Sequence, residues 1–128
     1  MTIKECIDKV DNLYPNQYSE EQKVDWLSRL DYDIYHNLIL QHEYNEGEEE
    51  VKYEPYSVND MAHSLIAPFP YDELYIAYLR VKIDEANEET ANYNNSVALF
   101  SSYYQNYAGM YVRKHTPINT ERYHTWRR

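Results

Sequence analysis

Glycine is almost absent, with two residues in a chain of 128. That scarcity excludes phosphate-cradling loops and tight two-residue hairpins, and it favours helices. Cysteine occurs once, at Cys6, so neither a disulfide framework nor a CxxC site can be built. No run of 18 apolar residues occurs, and "MTIKECIDKV" has no apolar leader, which gives the expectation of a soluble cytosolic product with no membrane contact. Cations are also scarce, 12 against 22 acids, for a net charge of -10. A body so acidic cannot clamp a nucleic-acid backbone by counterion release.

Tyrosine is abundant, at 16 residues against two Phe and two Trp. Its ring packs while its hydroxyl stays wet, which suits half-buried surfaces and subunit contacts. The charge is uneven too. Residues 113–128 hold five Lys and Arg against Glu121, net +4, so residues 1–112 carry -14. The expected organisation is one acidic helical domain over 1–112 and a basic C-terminal tail over 113–128.

Thr2 and Glu5 form a capping box before the apolar steps Ile3, Cys6, Ile7, Val10 and Leu13, and Pro15-Asn16 ends that helix. A second box runs from Ser19 to Gln22, and the stripe behind it is Val24, Leu27, Leu30, Ile34 and Leu38. Asp25, Asp31 and Asp33 are read as its solvated face. "EYNEGEEE" predicts an exposed, mobile acidic loop, centred on Glu46, Glu48, Glu49 and Glu50. "VKYEPY" alternates as a short edge strand would.

Pro68 and Pro70 force extended backbone ahead of a third helix with two apolar rows, Leu74, Tyr78 and Val81, and Ile76, Leu79 and Ile83. A helix apolar on two sides belongs in the middle. The pattern slips near Asn87. It resumes at Tyr93, Val97, Phe100, Tyr104, Tyr107 and Tyr111, a bundle-like seam flanked by Leu99, Tyr103 and Met110. Tyr103 and Met110 on that flank are expected to meet another subunit. Pro117 bars continuation, which leaves an extended tail.

No catalytic signature is present: GxxxxGK[ST], HExxH, GxSxG and an Asp-rich calcium loop are all missing. His36 and His42 lie six residues apart and share no helix face. His42-Glu43 needs a distant partner to hold a metal, and adjacent acids such as Asp84-Glu85 diverge on a helix. The expectation is therefore no enzyme, no metal and no cofactor, and a metal-dependent enzyme using His42 and the acidic loop is the weakest reading.

The order of these elements resembles a known family. The segments "LYPNQYS", "EEQKVDWLSRLD" and above all "APFPYDELYIAYLRVKIDEANEETANYNNSVALF" are similar to the small head–tail connector proteins (adaptor, or head-completion) of tailed bacteriophages and prophages. The likeness spans roughly residues 2–117, and many prophage members carry a Gly near the bend where this chain has Glu88. It implies an all-α, four-helix connector-like bundle assembling as a ring, commonly dodecameric, beneath the portal. Such a protein would be made in the host bacterial cytoplasm and reside in the virion, at the head–tail junction. Its partners would be itself, the portal protein and the next neck or tail protein, with packaged DNA passing unbound through an acidic channel. Arg113, Lys114, Arg122, Tyr123, Trp126, Arg127 and Arg128 would then meet the portal or an adjacent subunit, and Glu46, Glu48, Glu49 and Glu50 would face the channel or a subunit junction. The alternative is an acidic helical interaction module, of DNA-mimic or anti-repressor type, that occupies a basic protein groove.

Overall fold

The computed structural model describes residues 1–118. The expectations placed on Arg122, Tyr123, Trp126, Arg127 and Arg128 lie outside the described residues. Four α-helices form: α1 (Ile3–Leu13), α2 (Glu20–Asn37), α3 (Glu73–Ala86) and α4 (Thr90–Lys114). Single 3-10 turns lie at Ile39–Gln41 and Val58–Asp60. The protein is all-α among the described residues, and the expected strand at 51–56 does not form.

Helices α1 and α2 start at side-chain caps. Thr2 and Glu5 exchange the two bonds of a capping box on α1. The next free donors of that first turn, Ile3 and Lys4 N–H, bond to the carbonyls of His63 and Met61. Ser19 caps α2 by accepting from Gln22 N–H at 3.1 Å. Between α3 and α4 the chain turns through Glu88 at φ 58, a left-handed conformation that favours glycine. The bend lies where the apolar pattern slips, and this chain makes it with a residue that carries a side chain.

Helix α3 packs against α1, α2 and α4, so the two-faced helix is indeed central. Leu74, Tyr75, Ile76, Leu79 and Ile83 are buried on it, and Ile3, Cys6, Ile7 and Val10 of α1 meet the same core with Val24, Leu27, Leu30 and Ile34 of α2. Cys6 sits in that core and burial pushes its thiol up, as expected of a packing residue. Leu13 does not follow its stripe. It is exposed at the frayed end of α1.

Helix α4 lies along α3 and changes character along its length. Its first half buries only Ser96, whose hydroxyl donates to Asp84 of α3, and leaves Leu99 exposed. Its second half buries Tyr107, Met110 and Tyr111. Met110, expected at a subunit contact, is 9% exposed and joins this chain's core cluster. Tyr103 is half-buried against the core. The start of the expected tail differs as well. Arg113 and Lys114 complete the last turn of α4 and are exposed.

Candidate interaction surface

The surface begins at a buried acid. Asp31 is fully buried on α2, contrary to its assignment to a solvated face. By spacing it stands four residues after Leu27 and three before Ile34, within the stripe. Three donors meet it: Tyr56 Oη at 2.5 Å and Ile66 N–H at 3.1 Å on Oδ2, and Tyr75 Oη at 2.6 Å on Oδ1. Tyr75 Oη also accepts from Ala67 N–H at 2.7 Å. Burial pushes the Asp31 carboxyl up, and the three donors oppose that shift without cancelling it.

The "VKYEPY" segment docks onto the polar edge of α2 with no neighbouring strand: Tyr53 Oη donates to the Ser28 carbonyl at 2.8 Å, and Tyr56, three residues on, reaches Asp31. The backbone donors of Ile66 and Ala67 are thereby fixed to the core. The next residues, Pro68-Phe69-Pro70, turn back through a Tyr71 N–H to Pro68 carbonyl bond of 2.7 Å, and the Phe69–Pro70 peptide is cis. Phe69 is left at the tip with 84% of its surface in solvent. Restricted proline backbone and a fixed base hold an apolar ring outward.

Beside Phe69 runs a groove of ≈ 460 Å³ between the 66–71 loop, the acidic loop and the end of α4. Its aromatic wall is a ladder: Tyr71 to Tyr107 at 5.9 Å, Tyr107 to Tyr111 at 6.2 Å, and Tyr111 stacked on His115 at 3.8 Å between centroids. Tyr111 is 6% exposed and its hydroxyl has no hydrogen-bond partner among the described residues. Its phenol is pushed up to about 12, first by burial and then by the nearby Glu48 charge.

The acidic loop forms the opposite rim, and it is not the free arc that its composition predicts. Glu48 accepts from Asn45 N–H at 2.8 Å, and its carboxylate lies 2.9 and 3.0 Å from His115 Nε2. Tyr44 Oη closes the loop, accepting from Val51 N–H at 3.1 Å and donating to the Val51 carbonyl at 3.3 Å. Gly47, at φ 79, supplies the turn. The bond from His115 holds the Glu48 carboxyl below the usual carboxylate range, with the Asn45 N–H a second cause. Glu46, Glu49 and Glu50 are exposed.

The chain after α4 is pinned to the same place. Asn45 Nδ2 donates to the Lys114 carbonyl at 3.1 Å, Glu43 N–H to the Thr116 carbonyl at 2.7 Å, and Ile118 N–H to the Gln41 carbonyl at 2.9 Å. The residues expected in a loose tail are thus fastened through Ile118. His42 and Glu43 serve this fastening too, since His42 Nδ1 meets the Leu38 carbonyl at 2.7 Å and its ring packs edge-on against Tyr111. No group of three or more potential metal ligands gathers among the described residues, and none of the helices described is long and apolar enough to cross a membrane.

The structure therefore brings Glu48, Met110 and Lys114 to one groove, leaves Glu46, Glu49 and Glu50 exposed in the same loop as Glu48, and keeps Tyr103 and Arg113 out of its lining. Phe69 and His115 were the residues that sequence reasoning missed. Phe69 carried a signal, a large apolar side chain between two prolines where no helix could hide it. No known family model, no curated protein and no solved structure matches the chain.

Proposed function

We propose that this chain is a structural subunit of a ring at the head–tail junction of a tailed phage or prophage, continuing a DNA channel beneath the portal. The supporting observation is the fixed presentation of Phe69. The base of its loop is fixed by Ile66 N–H on the buried Asp31 and by Ala67 N–H on Tyr75, itself bonded to Asp31, while the apolar ring stays in water. Rigid display of an aromatic is what a permanent protein contact requires, because aromatic anchors dominate interface energies. Exposed Leu99 and Val112 on α4 offer further apolar area for side-by-side packing. The acidic balance suits a channel wall that must pass DNA without retaining it. In this reading the neighbours are the portal and the next neck or tail protein.

Native mass measurement and electron microscopy of the purified protein, alone and mixed with portal, test the proposal. The expected result is a closed ring that seats on portal. A protein that remains monomeric or dimeric with portal present, yet binds a basic protein tightly, would replace it with the acidic interaction module. The exposed Glu46, Glu49 and Glu50 favour that second reading, since they stand ready to meet cations.

A further inference from the structure

We propose that the groove beside Phe69 receives residues 119–128 of a second copy of this chain. The inference deepens the proposed self-assembly and rests on it, but it needs nothing of the portal or of DNA. Three independent features point to that occupant. The groove offers an aromatic wall of Tyr71, Tyr107, Tyr111 and His115, on which large aromatic side chains can pack. One rim is the acidic loop, with Glu48 partly accessible in the groove and Glu46, Glu49 and Glu50 exposed in the same loop, against Lys114 at the end of α4. Residues 119–128, "NTERYHTWRR", carry Arg122, Arg127 and Arg128 against Glu121, together with Tyr123 and Trp126. Arginine and large aromatics are the residues that such a rim and wall select.

The path of the chain argues for a second copy over the same one. His42 and Pro117 form an antiparallel bridge, with Glu43 bonded to Thr116 and Ile118 to Gln41. Residues 116–118 thus run from the level of Glu43 to that of Gln41, away from Glu48. The ten residues beyond contain no Gly or Pro to favour a reversal. They can span up to roughly 33–36 Å, enough to reach a neighbour in a ring.

The test uses the full chain with a benzophenone amino acid at Tyr123, prepared in light and nitrogen-15 forms, mixed, assembled and irradiated. Cross-linked peptides are identified by mass spectrometry. The expected products join light to heavy copies and contain residues 66–71 or 107–115. Links within one copy only, or between copies but at another surface, overturn the proposal. An assembled ring without either link also overturns it while leaving the proposed self-assembly intact. A monomer at every concentration overturns both. In parallel, Phe69→Ala, which removes only an exposed ring, should keep its helical circular dichroism and weaken self-association by about tenfold or more. Unchanged association in that variant also counts against the groove.

Discussion

Two carboxylates pin two loops in this protein, and they do so under opposite physical conditions. Asp31 is wholly inside, ringed by two phenols and a backbone amide, and burial raises its pKa. Glu48 is partly wet, faces the imidazole of His115, and has a lowered pKa. The first anchors the base of the Phe69 loop and the second anchors the opposite rim of the same groove. Desolvation governs where water is excluded, whereas a specific partner governs where water remains. The two rims should therefore respond differently to truncation and to pH.

The largest expected effect is at the buried acid. Asp31→Ala leaves Ile66 N–H and the Tyr56 and Tyr75 hydroxyls without their acceptor, at a cost of about 3 kcal/mol or more, since each unsatisfied buried group costs about 1–3 kcal/mol. Urea unfolding measures it. Asp31→Asn should cost less, because it retains one acceptor oxygen and removes the charge that burial disfavours. Equal losses for Ala and Asn would break the comparison, since the carboxylate's second oxygen would then matter as much as the whole group.

Next in size is Tyr75→Phe, which strips the donor from Asp31 Oδ1 and the acceptor from Ala67 N–H in one change. A loss of about 1–3 kcal/mol is expected. Tyr56→Phe should cost less, because Tyr56 is only half-buried and water can replace it at the carboxylate. Amide hydrogen exchange at Ala67 gives a second readout, with faster exchange in Tyr75→Phe than in Tyr56→Phe.

These two cases show what the sequence made legible. Helix starts were written in local pairs such as Thr2 and Glu5, and helix stripes in spacings of three and four, so the four helices and the central place of α3 could be read directly. Asp31 was misread because residue type outweighed register: its spacing from Leu27 and Ile34 put it in the stripe, but a carboxylate was taken for solvent. Its partners, Tyr56 and Tyr75, lie 25 and 44 residues away, beyond any periodicity. Met110, expected at a subunit contact from its flanking position, is buried in the core cluster and also lines the groove. A seam at Tyr107 and Tyr111 describes one packed face, whereas the groove wall at the end of α4 depends on two loops distant in sequence. The groove itself is made from three separate segments and has no sequence signature.

The third expectation concerns pH. Asp31 has a folded pKa above its unfolded value, so its contribution is fully present in acid and is lost as pH rises through the raised value. Glu48 has a folded pKa below its unfolded value, so its contribution is present above the ordinary carboxylate range and is lost as pH falls through the depressed value. Subtracting the stability profile of Asp31→Asn from that of the parent should give a difference that shrinks toward higher pH. The same subtraction with Glu48→Gln should give one that shrinks toward lower pH. Differences of the same slope for both variants would show that the contrast in surroundings has no thermodynamic consequence.

The smallest effects belong to the rim outside the clamp. Glu48→Gln should cost below about 1 kcal/mol, as expected of a partly exposed pair. It should still loosen the loop, seen as faster amide exchange at Asn45, whose N–H bonds to Glu48 Oε1. Replacing Glu46, Glu49 and Glu50 together by Gln removes three exposed charges that make no recorded hydrogen bond or ion pair among the described residues. The melting temperature should then move by no more than about 2 °C, since 1 kcal/mol corresponds to roughly 4 °C in a domain of this size. Exchange at Asn45 should be unchanged. That contrast separates the two halves of one acidic run: Glu48 acts on this chain's own structure, and its neighbours are left free to act on something else. If the triple variant also loosened Asn45, the loop would be held by its overall charge, and the His115 bond would not be its specific anchor.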